Sequence, residues 1–231
     1  MPELPELQII INQLKEELQY AYIDSVVARD ASISEDIGLI SGQKVIEIVR
    51  HDKAIYFQLS RDAFMLSLGE NAQLMMSTDN ARIAHTRVLF RTTRGDLYLV
   101  DKSRMSTVTV VSKDETYVPF AGVDPLTKQF NFKMLYRNLK ASKANIGDFL
   151  RKEKVVAGLG IRYTGKILRA SRLPARHPAN RIPRSAAEKL FWNIKNILRD
   201  AIIKKSPKAL DMLDELDGLY DMGIPAEKAP H

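Results

Sequence analysis

Two adjacent residues at the start of the chain have the types and spacing for covalent chemistry. Met1 precedes Pro2, and trimming of an initiator methionine before a small residue leaves Pro2 as the N-terminus. Its secondary amine then titrates near an α-amino group, at about 8, so a usable fraction is unprotonated at neutral pH. Such an amine can attack an electrophilic sugar carbon and form an iminium, the chemistry otherwise given to a Schiff-base lysine. Glu3 stands beside it, able to deliver or accept a proton, and Glu6 follows three residues later. The plainer reading is that Pro2 and Pro5 pre-set φ and start a helix.

Two further groups could serve a reaction at a sugar. Lys53 falls between two apolar runs, where a cation can hold a phosphate next to the reacting centre; the plainer reading is an ordinary hairpin lysine. Gly158 and Gly160 allow a tight turn and close backbone approach to a phosphate, with amides at a helix start as donors. Lys154, Arg162 and Lys166 flank them with positive charge.

Stepping along the chain, residues 5–20 carry Ile9, Ile10, Leu14 and Leu18 at three- and four-residue steps, which predicts an amphipathic helix. Glu3 and Glu6 lie at its start, where the helix dipole favours acids. From about residue 23 to 112 the pattern becomes that of strands: runs at 45–49, 54–59, 64–68, 87–91, 97–100 and 108–111, separated by turn residues such as Arg94-Gly95-Asp96. Six or more strands after one helix predict an antiparallel sandwich. Residues 113–129, with Pro119, Gly122 and Pro125, predict a hinge. Beyond it helices are expected at 132–139, 146–151, 165–170, 185–204 and 207–216, with Ser185 and Glu188 as a capping box on the longest. The lone Trp192 is assigned to packing or an interface. The expected division is 1–118 for the sandwich, 119–129 for the hinge, 130–220 for the helical domain and 221–231 for a tail. The fold class is α+β.

Composition narrows the partners. The 231 residues carry a net charge of +7, distributed unevenly: about −4 over residues 1–123 and +11 over 124–231. A polyanion is the natural partner of the second half, although a solvated basic surface would look the same. There is no cysteine, and the four histidines lack metal-ligand spacing, so no metal or other cofactor is expected. No apolar run is long enough to span a bilayer and no secretory signal is present, so a cytoplasmic monomer is expected.

Four stretches together resemble the formamidopyrimidine-DNA glycosylase and endonuclease VIII family. They are Met1-Pro2-Glu3-Leu4-Pro5-Glu6-Leu7, Arg50-His51-Asp52-Lys53-Ala54-Ile55-Tyr56-Phe57, Gly122-Val123-Asp124-Pro125-Leu126 and Lys154-Val155-Val156-Ala157-Gly158-Leu159-Gly160. The resemblance implies a DNA repair glycosylase with abasic-site lyase activity acting on damaged double-stranded DNA. It implies Pro2 as nucleophile, Glu3 as general acid, Lys53 at the lesion, and a helix-two-turn-helix over 154–166 with Lys154 on a phosphate.

The chain departs from that family in three places. Ile161 stands where the family usually has an asparagine that bonds the DNA backbone, leaving Arg162 and Lys166 to compensate by charge. The family's wedge residues fall on Glu70, Ser103 and Met105; only Met105 can fill a flipped-out gap, with Arg104 beside it and Asn71 and Gln73 in the neighbouring loop. The zinc finger that most members carry has no cysteines here to build it. These departures keep open a second reading, a binding protein that recognises damaged or abasic DNA with little turnover. A third, an RNA-binding protein, follows from the helix-two-turn-helix, which also occurs in a ribosomal protein family; it ranks last because it leaves the N-terminal residues without a purpose.

Overall fold

The computed structural model describes residues 2–30, 33, 36–78, 82–111, 122–152 and 154–205. Helix α1 spans Leu4–Leu18 and is followed by eight strands: β1 Tyr22–Ala28, β2 Gln43–His51, β3 Ala54–Leu59, β4 Ala63–Ser67, β5 Gln73–Ser77, β6 Thr86–Thr92, β7 Gly95–Val100 and β8 Thr107–Val111. Four helices follow: α2 Phe132–Ala141, α3 Ile146–Arg151, α4 Ile161–Ala170 and α5 Arg184–Lys205. The expected α+β class and the order of sandwich then helices both hold.

All strand pairings are antiparallel, in the order β5-β7-β6-β1-β2-β3-β4-β8. The sheet folds at the short β1–β2 pairing so that its halves face each other. Phe64 on β4 stacks on Phe57 of its neighbour β3 at 4.4 Å and on Phe90 of the facing strand β6 at 5.5 Å. Such ring pairs contribute roughly 0.5–1.5 kcal/mol beyond their buried area.

Helix α1 departs from the single expected stripe. Leu7, Ile11, Leu14 and Leu18 enter the sandwich core, whereas Leu4 and Ile9 enter the helical core with Leu159, Tyr163 and Leu190. Ile10, expected inside, is only half-buried. The helix therefore belongs to both cores and joins them.

Two expected helix starts move. α4 begins at Ile161, not 165. α5 begins at Arg184, so Ser185 lies inside the helix and the capping box with Glu188 does not form; Glu188 instead accepts from Arg184 Nε at 3.1 Å. The expected helix at 207–216 and residues 119–121 of the expected hinge lie outside the described residues.

Candidate active site

The four motif stretches meet at one corner, where the start of α1 touches the loop between α3 and α4. The amide of Leu4 donates to the carbonyl of Gly158 at 3.0 Å. Glu3, at the N-cap of α1, makes no local cap there. Its carboxylate crosses to α4, where Oε1 accepts from the amide of Arg162 at 2.8 Å, and Oε2 from Gly160 at 3.2 Å and Tyr163 at 3.0 Å. The first amides of a helix have no partner within it, and the dipole there favours an anion. Gly160, the N-cap residue of α4, has no side chain to satisfy them. Glu3 does so from the far end of the chain.

Both glycines are required by this docking. Gly158 has φ +75°, and a Cβ there would lie 2.7 Å from Arg50 Nη1 and 3.2 Å from Leu4 Cβ. A Cβ on Gly160 would collide with the carboxylate carbon of Glu3. Of the two glycines expected to approach a phosphate, Gly160 has its amide bonded to Glu3, and Gly158 admits the N-terminal segment.

Glu6 completes the clamp. Its Oε1 accepts from the Tyr163 hydroxyl at 3.0 Å and its Oε2 pairs with Arg162 Nη2 at 2.5 Å. Burial, then the neighbouring Glu6 carboxylate, pushes the Tyr163 hydroxyl up to about 12, so the phenol stays a donor. The Arg162 guanidinium and the Lys166 ammonium lie 5.0 and 5.1 Å from the Tyr163 ring centre.

The β2–β3 turn closes the corner. Arg50, buried at the end of β2, forms an ion pair with Asp124 and donates to the Asp52 carbonyl at 3.3 Å. Asp124 also accepts from the amide of Leu126 at 2.8 Å. The amide of Ala157 donates to the Val123 carbonyl at 3.0 Å, which ties that segment to the α3–α4 loop. Lys53 sits half-buried in the turn between β2 and β3, in the position expected. Sequence reasoning missed Arg50, Asp124 and Tyr163 as the residues that hold the corner together. Arg50 and Asp124 were visible only as motif members, with no sign that they touch.

The remaining expected residues fall on two exposed regions. On α4, Arg162 and Lys166 are exposed one turn apart, with Arg169 continuing the row; Lys154 is exposed in the preceding loop, and Ile161 is 76% exposed. Ile161 therefore does not pack into the helical core.

In the loop after β7, Asp101 accepts from the amides of Ser103, Arg104 and Ser106 and from the Ser103 hydroxyl at 2.6–3.1 Å. Burial opposes the charged form of Asp101, but the bonds from Ser103 and Ser106 outweigh it and hold the carboxyl at about 2. This fold raises Met105, 70% exposed, on the loop tip. The amide of Gly69 donates to the Ser106 hydroxyl at 2.9 Å, which places the exposed Asn71 in the neighbouring loop. Arg104 is exposed but turns back: its Nη2 pairs with Asp30 at 2.8 Å, beside the buried Arg87.

Fold and site define a helix-two-turn-helix protein whose N-terminal Pro-Glu pair is docked on the two-turn element. Residues 1–108 match the formamidopyrimidine-DNA glycosylase N-terminal domain and residues 121–210 the formamidopyrimidine-DNA glycosylase H2TH domain. The chain belongs to the formamidopyrimidine-DNA glycosylase family. It is 29% identical over 213 residues to the formamidopyrimidine-DNA glycosylase of Wolbachia sp. subsp. Brugia malayi, covering 88% of this chain and 79% of that one. It is 30% identical over 213 residues to that of Zymomonas mobilis, covering 87% and 78%. Among solved structures, the MutM (Fpg) protein of Thermus thermophilus superposes with a TM-score of 0.77 at 25% identity, over 87% of this chain and 76% of that one. The Lactococcus lactis glycosylase bound non-covalently to DNA containing an abasic site shares the fold, with a TM-score of 0.80 at 22% identity over 93% and 86%.

Proposed function

We propose that this protein is a DNA repair glycosylase with abasic-site lyase activity, acting on damaged double-stranded DNA through the amine of Pro2. The observation that carries this reading is the Glu3 carboxylate held by three amides of α4, which fixes the adjacent Pro2 against the two-turn element. The unprotonated amine attacks C1′ of the damaged nucleotide, forming the N–C1′ bond as the glycosidic bond breaks and the base leaves with its electron pair and a proton. Glu3 assists opening of the sugar, in which O4′ takes a proton and an iminium forms. Loss of a C2′ proton then expels the 3′ phosphate and cuts the strand, and water releases the enzyme. These steps use only protein groups and water.

Lys53 is assigned to the phosphate beside the lesion, and Glu6 to holding α1 on α4 through Tyr163 and Arg162. Lys154, Arg162 and Lys166 supply charge along the DNA backbone. Met105, with Asn71 beside it, fills the space left by a flipped nucleotide, and Arg104 would join them only by leaving Asp30. The division proposed is a sandwich over 1–118, a hinge over 119–129 and a helical domain over 130–220; the presence of two separate hydrophobic cores supports two domains, and Leu126, inside the proposed hinge, packs in the helical one. A cytoplasmic monomer is the setting this reading implies.

Borohydride trapping on abasic-site duplex tests the reading, with the intact mass recorded first to establish that Met1 is absent. Wild type is expected to form a covalent adduct and Pro2→Ala to lose most of it. Glu3→Gln should impair base excision more than strand cleavage at a preformed abasic site. Trapping by Pro2→Ala equal to wild type would make another amine, such as Lys53, the nucleophile.

A further inference from the structure

We propose, building on the reading above in which the loop after β7 enters damaged duplex, that Asp30 sets how sharply this protein separates lesion-bearing from undamaged DNA. It does so by holding the Arg104 guanidinium back until Met105 enters the helix. One carboxylate oxygen is shared by two arginines. Asp30 Oδ2 accepts from Arg87 Nε at 3.0 Å and pairs with Arg87 Nη2 at 2.8 Å. The same oxygen accepts from Arg104 Nε at 3.1 Å and pairs with Arg104 Nη2 at 2.8 Å.

The two arginines are held very differently. The Arg87 side chain is 5% exposed, and its Nη1 donates to the Ser106 carbonyl at 2.8 Å and lies 3.7 Å from Asp101 Oδ2. Breaking a buried pair of this kind strands a charge away from water and is costly. The Arg104 side chain is 68% exposed. An ion pair with so exposed a partner is screened and adds little. Two guanidiniums on one oxygen also repel each other, which loosens the outer one further. Arg104 can therefore leave while Asp30 keeps Arg87.

The place of Arg104 in the chain gives this exchange a use. It directly precedes Met105 on the loop tip, and its own amide is among those held by the Asp101 carboxylate. The backbone of the tip thus keeps its shape, and the exchange is a rotation of the Arg104 side chain alone. While Arg104 rests on Asp30 its charge is matched, so a duplex that Met105 has not entered meets a neutral pair. Entry of Met105 into a gap brings the DNA backbone beside Arg104. A phosphate offers the planar guanidinium fork the same charge-assisted bonds that Asp30 does. The contact is then made chiefly on DNA that has a gap to fill. Without the charge of Asp30 the cation would meet every duplex, and discrimination would narrow.

Salt slopes of binding test this, measured on an abasic-site duplex and on the same duplex undamaged. Wild type, Asp30→Asn, Arg104→Gln and the double variant are compared, with melting curves to establish that each is folded. One released counterion changes the slope by about 0.9, which is about a threefold change in affinity over a fourfold range of salt. Arg104→Gln is expected to lower the slope on abasic duplex by about 0.9 more than on undamaged duplex. Asp30→Asn is expected to raise the slope on undamaged duplex by about 0.9 and to tighten binding there. Adding Arg104→Gln to it should cancel that gain. Because Arg104 is exposed, its single variant decides the matter alone if Asp30→Asn fails to fold. Equal losses of slope on both duplexes would overturn the proposal, since Arg104 would then reach DNA without waiting for Met105. Unchanged slopes on both would overturn it as well, since Arg104 would never leave Asp30. So would a folded Asp30→Asn with the wild-type slope on undamaged duplex. Wild type that binds the two duplexes alike would instead sink the glycosylase reading, and this inference with it.

Discussion

The carboxylate of Glu3 accepts a hydrogen bond from the amide of Arg162 at 2.8 Å, joining residues 159 positions apart. A single acidic side chain thereby caps the helix that presents cations to the solvent and holds the chain's first residues in place. Gly160 sits under that contact. Gly160→Ala is expected to push Glu3 off α4, lower stability by about 1–3 kcal/mol as overpacking does, and abolish most borohydride trapping. Gly165→Ala, on the same helix with nothing within 4 Å of the added carbon, is expected to raise stability by roughly 0.5–1 kcal/mol and leave trapping unchanged. Melting curves beside trapping yields check both.

Ile161 is exposed at the first position of α4, so a polar replacement costs no core packing. Ile161→Asn adds an amide donor where the family usually has one. A hydrogen bond to a charged group contributes roughly 1.5–3 kcal/mol, about a ten- to hundredfold gain in affinity. Abasic duplex should bind more tightly, undamaged duplex much as before, with an unchanged melting temperature. A titration showing no gain would mean that the backbone does not pass this position.

Tyr163→Phe removes the donor to Glu6 while leaving the buried ring. A loss of about 1 kcal/mol is expected, the usual worth of one such bond. The pH dependence carries the signature. A phenol raised to about 12 in the folded state, against about 10 unfolded, gives stability that is complete below about pH 10 and fades between about 10 and 12. The phenylalanine variant should lack that alkaline slope in thermal melts.

Asp101 works at the other end of the scale. Its carboxyl is held at about 2 against about 3.9 in an unfolded chain, so its stabilisation is complete above about pH 4 and is lost as pH falls towards about 2. The amount is about 2 kcal/mol. Asp101→Asn should melt lower at neutral pH and show a shallower acid limb. Because the same carboxylate shapes the Met105 loop, the variant should also bind abasic duplex less tightly.

Neutralising surface cations should separate two effects. Lys154→Ala and Lys166→Ala are each expected to reduce the salt slope of DNA binding by about 0.9, the value for one released counterion, on any sequence. Arg162→Ala should do more than that, because Arg162 also pairs with Glu6. A lower melting temperature for Arg162→Ala alone would identify the second effect.

Local pattern was enough for β3 and α3, whose bounds match the runs of apolar residues that mark them. It failed where the cause lay elsewhere in the chain. The start of α4 read four residues late because its cap is Glu3, while Gly160, at the N-cap position, has no side chain of its own to mark the boundary. Strand β1 includes Asp24 and Ser25, and β5 is a methionine-rich edge strand, so neither shows strong strand preference, and pairing with β6 and β7 decides them. The residue types of Pro2, Glu3 and Lys53 suggested their chemistry. The ion pair of Arg50 with Asp124 and the reach of Glu6 to Tyr163 span 74 and 157 residues and leave no local trace.

The double membership of α1 has a consequence for the order in which the molecule is made. A ribosome delivers α1 first, yet Leu4 and Ile9 find their core only once α4 and α5 have emerged. Until then the apolar face of a nascent α1 is only partly covered, and the chain's first residues have no two-turn element to grip. Contacts this distant in sequence slow folding, because the loop they close must form before they stabilise anything. A truncated translation product would carry the sandwich sequence and Pro2 but no docked corner. The docked corner therefore forms late in synthesis, once the helices that follow the sandwich have emerged.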